Sequence, residues 1–439
     1  MSSDMNGLRR ILPLALVVCG GLLAASASAQ VDITVTRKIV HRIPIAVVGL
    51  RPTRMASRGP DLAAKTQSIL VSDLEFSTTF EVLPPAFLPF EPREIRLGEE
   101  EKVLPSLNQL RVQAMLAVDL TKQGKELVLE GRVYNVARGT FLGGKRYFGD
   151  AKALRSMVHR LADEVVFWLT GERGVASTRI AFATAERRTT ELYLMDYDGH
   201  NAVLATGNRS INLSPRFSPD GKLLAYTSYR DGNPDLYLLN LETGRRKKVS
   251  ALPGLNISPA WSPGGRLLAL SLSKGGGTNL YLMRPTGGGL RRLTNGLGIS
   301  VSPSFSPNGR QIAYTSDRGG SPQVYMIDIE GTNLRRLTFD GNYNASPQWS
   351  PRGDKIAFVS DRAGGGFQIY LMNPDGSGVQ QMTTSGSNED PAWSPDGRHL
   401  VFTSNRSGTK DVYVMHADGS GQKRLTRNAL NNFAPDWSP

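Results

Sequence analysis

The sequence predicts two domains: an N-terminal α/β domain with a mixed sheet, followed by a six-bladed β-propeller that the C-terminal strand closes. Two observations carry this prediction. The C-terminal part repeats the motif Ser-Pro-x-Trp-Ser-Pro every 44 residues, a period typical of propeller blades. The preceding part lacks the repeat and combines helical apolar stripes with alternating strands. The copies of the repeat begin at Ser214, Ser258, Ser302, Ser346, Asp390 and Ala434.

Residues 1–29 have the pattern of a secretory signal peptide. Arg9 and Arg10 precede an apolar run, and Ala27-Ser28-Ala29 forms a small-residue cleavage site. We therefore expect export to the periplasm and no membrane span in the mature chain. Cys19, the single cysteine, lies in the apolar run. Its removal with the signal peptide excludes disulfides and thiolate chemistry from the exported protein.

The formal net charge of +13 favours an anionic partner, and nucleic acid is unlikely to meet an exported protein. Basic clusters fall at nearly the same place in several repeats, which predicts the solvent-facing side of one strand per repeat. Attraction to an anionic envelope surface is the alternative. The clusters are Arg245 to Lys248, Arg291-Arg292, Arg335-Arg336 and Lys423-Arg424.

Residues 30–42 are predicted to form a flexible partner-binding segment. The residues Val31, Asp32, Ile33, Thr34, Val35 and Thr36 alternate between apolar and polar side chains, as in a half-buried strand. A terminal strand of this kind can dock on its own domain or pair with the sheet edge of another chain.

Residues 43–172 are predicted to form the α/β domain. Helical spacing of apolar residues predicts helices at 61–74 and 151–170, and Gly171 ends the second helix. β-rich runs predict strands at 43–50, 80–83, 114–120, 127–136 and 140–148, and the segment 87–105 is predicted to be a loop. Residues 173–179 would be a linker, and 180–439 the propeller.

Each repeat reads as four short strands. Ser218-Pro219-Asp220-Gly221 fits a type I turn between the first two. The second strand occurs six times from Ile180 onward, but no first strand precedes Ile180. Residues 434–437 form a first strand with no second strand after it, so the two ends complete one blade together. Inter-blade packing is the simplest role for Phe217, Trp261, Phe305, Trp349, Trp393 and Trp437.

The sequence holds no catalytic constellation that would predict an enzyme, and no cofactor or metal is expected. The histidines are scattered, and neither a zinc signature, a nucleophile elbow nor a phosphate loop is present. Asp196-x-Asp198-Gly199 resembles the opening of a calcium loop, but the later ligand positions are absent. A β-turn is the better interpretation.

Two further series follow the 44-residue period. The polar one is predicted to gather near one mouth of the central channel, either through turn chemistry, with Asn in the left-handed region, or as a collar that holds a partner. The mostly apolar second series would complete a docking surface. The polar series is Asn212, Asn256, Ser300, Asn344, Asn388 and Asn432, and the second is Leu213, Ile257, Val301, Ala345, Glu389 and Phe433.

The repeat resembles that of a known family. Residues 393–404, with 411–415 and Asp418-Gly419 behind them, are similar to the propeller repeat of the TolB family. Residues 43–48 and the helix end at 169–171 resemble the N-terminal domain of that family.

The resemblance implies a non-enzymatic periplasmic component of the Tol-Pal system of Gram-negative bacteria, which maintains outer-membrane integrity and supports outer-membrane invagination during division. It implies that the propeller binds the peptidoglycan-associated lipoprotein Pal, here through the two channel-mouth series. It also implies that residues 31–36 bind TolA, and that Pal occupancy controls whether this segment is docked or available. The alternative is a propeller enzyme or ligand-binding protein that acts on envelope peptides or glycans.

Overall fold

A computed structural model describes residues 42–50 and 61–439, and it confirms the predicted fold class. The predicted signal peptide and residues 30–41 lie outside the described residues. Among the residues described, none of the helices is both long and apolar enough to cross a membrane.

The N-terminal domain is a five-stranded mixed sheet with helices against both faces. The strand order is β2-β1-β3-β4-β5; β1 pairs in parallel with β2 and β3, and the other pairs are antiparallel. The strands are β1 (Ile43–Gly49), β2 (Phe80–Val82), β3 (Ala114–Gln123), β4 (Glu126–Asn135) and β5 (Thr140–Gly149). The helices are α1 (Leu62–Phe76), α2 (Leu104–Gln109) and α3 (Leu154–Thr170).

Local sequence accounts for the two long helices. Asp61 caps α1 by accepting hydrogen bonds from the backbone N–H groups of Ala63 and Ala64. Gly171 ends α3 in the left-handed conformation, with φ of 74°. Both helices bury their apolar residues against the same face of the sheet.

The other face of the sheet is covered by the segment that was predicted to be a loop. That prediction is incomplete, because the segment contains three 3₁₀ turns and leads into α2. Val103, Leu104 and Leu107 pack on Ala46 and Met115 of the sheet. A helix of six residues is too short for its apolar spacing to be recognised in the sequence.

The propeller consists of six four-stranded antiparallel blades, and in each blade the first strand below is the innermost. Blade 1 contains β29 (Asn431–Trp437), β6 (Arg179–Glu186), β7 (Thr189–Asp196) and β8 (Val203–Leu204). Blade 2 contains β9 (Asn212–Phe217), β10 (Leu223–Ser228), β11 (Asp235–Asn240) and β12 (Arg246–Ser250). Blade 3 contains β13 (Asn256–Trp261), β14 (Leu268–Leu272), β15 (Asn279–Met283) and β16 (Arg291–Arg292). Blade 4 contains β17 (Ser300–Phe305), β18 (Gln311–Ser316), β19 (Gln323–Asp328) and β20 (Arg335–Arg336). Blade 5 contains β21 (Asn344–Trp349), β22 (Ile356–Ser360), β23 (Gln368–Met372) and β24 (Gln380–Gln381). Blade 6 contains β25 (Asn388–Trp393), β26 (His399–Ser404), β27 (Asp411–His416) and β28 (Lys423–Arg424).

The ring closes as predicted. Strand β29 pairs antiparallel with β6, with Phe433 opposite Ala183 and Trp437 opposite Ile180. The backbone N–H of Ser438 also donates to the carbonyl oxygen of Arg179 at 2.8 Å. The two ends of the repeat region therefore share one blade, which protects the edge of β6.

The motif aromatics pack between blades, as predicted. The indole of Trp261 donates to the carbonyl oxygen of Arg216, and that of Trp393 to the carbonyl oxygen of Gln348, each in the preceding blade. Phe305 lies in a buried cluster with residues of blade 3. The turn prediction is also confirmed, because the N–H of Gly221 donates to the carbonyl oxygen of Ser218 at 2.8 Å.

Candidate docking surface and domain junction

The polar series at the start of the innermost strands is buried. All six side chains, from Asn212 to Asn432, are inaccessible to a partner. The amide of Asn344 donates to Gln323 Oε1 at 2.9 Å and to the carbonyl oxygen of Asp340 at 2.8 Å. Gln323 belongs to the preceding blade and Asp340 to the intervening loop, so this side chain joins two blades. The prediction of an accessible polar collar is therefore wrong.

The left-handed conformation does not fall on these Asn residues either. It falls two residues later, where φ lies between 49° and 53° in all six blades. Each of these residues lies at an irregularity in the pairing of the innermost and second strands. Their side chains line a channel cavity of about 60 Å³. The series is Ser214, Ser258, Ser302, Ser346, Asp390 and Ala434.

The second predicted series is only partly accessible. Ala345 is buried, and the other five members are half-buried. These five are Leu213, Ile257, Val301, Glu389 and Phe433. Their role in binding stays a prediction.

The most exposed apolar side chains near this mouth belong to the loops that lead into the innermost strands. Leu297 is 88% exposed, Phe339 70% and Ile299 50%. Ile211 and Tyr343 are also exposed. Ile211, Ile299 and Tyr343 follow the 44-residue period and directly precede the polar series, so the same periodicity could have identified them. We call these five residues the loop face.

The loop face lies at the end of the propeller opposite the N-terminal domain. The innermost strands begin at this face and end at the Ser-Pro turns, because the blade strands run antiparallel. The N-terminal domain contacts the other end, where Arg398 follows a Ser-Pro turn and Tyr197 follows β7. Among the described residues, the loop face is therefore free of the N-terminal domain.

A buried polar network joins the N-terminal domain to blade 1. His159 Nδ1 lies 2.7 Å from Asp73 Oδ2, and the hydroxyl of Tyr197 donates to Asp73 Oδ1 at 2.6 Å. Arg155 forms a close ion pair with Asp198. The network joins α1 and α3 to the turn between β7 and β8, so it fixes the propeller against two helices.

The pKa values in this network reflect burial and mutual contact. Burial alone would lower the pKa of His159, but the hydrogen bond and charge of Asp73 outweigh it and raise the pKa. Burial raises the pKa of Asp73, against the opposing effect of His159. Burial opposes ionisation of Asp198, yet Arg155 beside it lowers the pKa of that carboxyl.

The carboxyl groups of Asp73 and Asp198 and the imidazole of His159 approach one another closely enough to suggest a metal site, with ligand atoms within 4.8 Å. The contacts argue for an ion-pair network instead. Asp198 is already paired with the Arg155 guanidinium, which also lies 3.0 Å from His200 Nδ1. A cation therefore already occupies this position. The β-turn interpretation of Asp196 to Gly199 is confirmed by the hydrogen bond from the Gly199 N–H to the Asp196 carbonyl oxygen.

A second contact joins the N-terminal domain to blade 6. The ring of His399 stacks on Phe76 with centroids 4.0 Å apart, and His399 Nε2 lies 2.8 Å from the Phe76 carbonyl oxygen. Arg398 pairs with Glu172 at 2.6 Å. The two junction contacts lie on neighbouring blades, 1 and 6.

The channel mouth at the Ser-Pro end opens into a cavity of about 460 Å³ lined by the motif prolines and aromatic residues. Asp436 and Arg216 lie at its base, with Arg216 Nη1 3.7 Å from Asp436 Oδ1. Burial raises the pKa of Asp436 to about 6. Burial also raises the pKa of Asp390 in the channel.

These features define a two-domain protein in which an α/β domain is fixed against a six-bladed propeller. The model of the TolB beta propeller domain matches residues 167–439, and that of the TolB amino-terminal domain matches residues 31–142. The chain belongs to the TolB family.

Relatives and a solved structure agree with this assignment. "Tol-Pal system protein TolB" of Geobacter sulfurreducens is 43% identical over 212 residues, which cover 48% of each chain. The protein of the same name from Desulfosudis oleivorans is 37% identical over 235 residues, which cover 52% of this chain and 51% of that relative. This chain thus spans about half the length of the curated relatives it matches. The crystal structure of TolB from Acinetobacter baumannii has a TM-score of 0.76 at 26% identity and covers 91% of this chain and 97% of that chain.

Proposed function

We propose that this protein is the periplasmic docking component of a Tol-Pal system. In this proposal it binds Pal through the loop face and TolA through residues 31–36. It would thereby maintain outer-membrane integrity and support invagination of the outer membrane during division.

One observation carries the Pal part of the proposal. The loop face presents exposed Leu297, Ile299 and Phe339 side by side in the loops that lead into blades 4 and 5. Exposed apolar side chains grouped on one face mark protein interaction sites. The half-buried Val301 and the other members of its series would extend this surface toward the channel.

The TolA part rests on the alternating sequence Val31 to Thr36 and on membership of the TolB family. These residues lie outside the described part of the chain. An alternating segment next to an exported domain has the composition required to add a strand to the sheet of a partner.

A pull-down from periplasmic extract tests both parts. The bait is the exported protein, a form without residues 30–42, and the variant Leu297→Asp/Phe339→Asp. We expect removal of residues 30–42 to lose a TolA-like partner and retain a Pal-like one, and the double variant to do the reverse. Capture of neither protein by the unmodified bait would contradict the proposal and favour a ligand-binding propeller.

The matched control is Phe87→Asp/Phe148→Asp, because both phenylalanines are exposed and lie in the N-terminal domain. This control should retain both partners. Loss of the Pal-like partner in the control would show that added charge, and not the loop face, determines binding.

A further inference from the structure

The positive charge of this protein is concentrated in one stretch of sequence. Residues 243–316 contain ten Lys and Arg and neither Asp nor Glu. Residues 317–439, by contrast, contain 13 acidic and 12 basic residues. The excess charge therefore does not spread over all blades.

The fold keeps this stretch together. It contains β12 on the outside of blade 2, the whole of blade 3, and β17 and β18 of blade 4. We call this part of the propeller the basic wedge. All ten of its cationic side chains are exposed.

Few of these charges are neutralised within the protein. Lys248 pairs with Asp231 and Asp235 of the same blade. Arg292 donates instead to the carbonyl oxygen of Thr294 at 2.8 Å, and Arg291 to the carbonyl oxygen of Ile329. A bond to a carbonyl oxygen orients a guanidinium but leaves its charge uncompensated. The outer part of blade 3 therefore carries a positive field.

The fold does not require cations at these positions. The strand of blade 5 that corresponds to β16 is Gln380-Gln381, and the corresponding strand of blade 1 is Val203-Leu204. Both form the same outer pairing with the third strand of their blades. The basic composition of the wedge is thus additional to what the blade architecture needs.

We propose that the basic wedge holds the protein against an anionic lipid surface. Its cations extend from Arg266 and Arg284, at the turns beside the Ser-Pro end, to Lys274 at the opposite end of blade 3. Such a spread forms no pocket for a single carboxylate or phosphate. It matches an extended plane of anionic headgroups, to which each nearby Lys or Arg adds attraction.

Apolar side chains beside the arginine pairs strengthen this assignment. Leu290 precedes Arg291 and Leu334 precedes Arg335 on neighbouring blades, and both leucines are exposed. An exposed aliphatic side chain next to a cation suits the boundary between headgroups and acyl chains. The wedge is distinct from the loop face, so the lipid proposal goes beyond docking of Pal and TolA.

Vesicle sedimentation tests this proposal. The exported protein is mixed with vesicles of phosphatidylcholine alone or of phosphatidylcholine with anionic phosphatidylglycerol. We expect binding only to the anionic vesicles, and loss of binding in about 1 M salt, where the Debye length falls to about 3 Å. The variant Arg245→Gln/Arg266→Gln/Lys274→Gln/Arg284→Gln should bind at least about a hundredfold more weakly.

The matched control is Lys122→Gln/Lys125→Gln/Arg138→Gln/Arg427→Gln, which removes four exposed cations outside the wedge. It should retain most of the binding. Equal loss in both quadruple variants would overturn the role of the wedge and leave only net charge. Binding to soluble polyglutamate without binding to anionic vesicles would overturn the lipid surface as the partner, and absence of vesicle binding would overturn the proposal as a whole.

Discussion

Deletion of Ala434–Pro439 is expected to remove most of the stability of the propeller. The deletion takes away most of β29, the strand that pairs with β6 and joins the two ends of the ring. It also removes Trp437, which is buried against Phe76 and donates from its indole to Thr178 Oγ1 at 2.7 Å. Truncation of one buried Trp costs about 3–5 kcal/mol. The total stability of a domain is only about 5–15 kcal/mol.

Thermal unfolding, followed by circular dichroism, measures this effect. Trp437→Ala should lower the melting temperature, and the full deletion should lower it further or prevent folding. Removal of Pro439 alone is the control, because this residue is exposed and follows the last hydrogen bond of the closure. A deletion of six residues that unfolds at the same temperature as the intact protein would show that the closure is unimportant.

Asp73→Ala is expected to destabilise the domain junction by about 3–5 kcal/mol. The change leaves the imidazole of His159 and the hydroxyl of Tyr197 buried without their shared acceptor. Chemical denaturation measures the loss. The control is Asp73→Leu/His159→Leu/Tyr197→Phe, which replaces the polar groups together and should cost less than the single change, because no buried polar group is left unpaired.

The same network predicts how stability depends on pH. Because folding raises the pKa of His159, its contribution is fully present below the ordinary value of about 6.5 and is lost as the pH rises through the raised value. The raised pKa of Asp73 acts in the same direction, and the lowered pKa of Asp198 acts only at more acidic pH. Unfolding at a series of pH values should show this slope, and His159→Gln should flatten it. An equal slope in the variant would contradict the assignment to His159.

The regular parts of the fold could be predicted from the sequence because each is encoded locally. The 44-residue period fixes the blades, and the unmatched first strand at residues 434–437 fixes the closure. Apolar spacing gives α1 and α3, and Gly171 gives the end of α3. Where local signals were weak, as in α2, the prediction was incomplete.

The accessibility of the predicted site could not be obtained in the same way. Periodicity places Asn344 and its equivalents at one end of the propeller, but burial depends on the loop that folds over each side chain. The Ser214 series has a small side chain at five of its six positions, and its left-handed backbone follows from the irregular pairing of two strands. The junction of Asp73, His159 and Tyr197 joins residues up to 124 positions apart, and no spacing rule connects them.

Titration of the exported protein with the purified peptidoglycan-binding lipoprotein of the same organism tests the central claim most directly. The account predicts saturable binding that Leu297→Asp/Phe339→Asp weakens by at least about tenfold, because exposed apolar side chains at a protein interface contribute about 1 kcal/mol or more each. It also predicts that Phe87→Asp/Phe148→Asp binds as the unmodified protein does. Binding that the loop-face variant leaves unchanged, or an absence of binding by the unmodified protein, would contradict it.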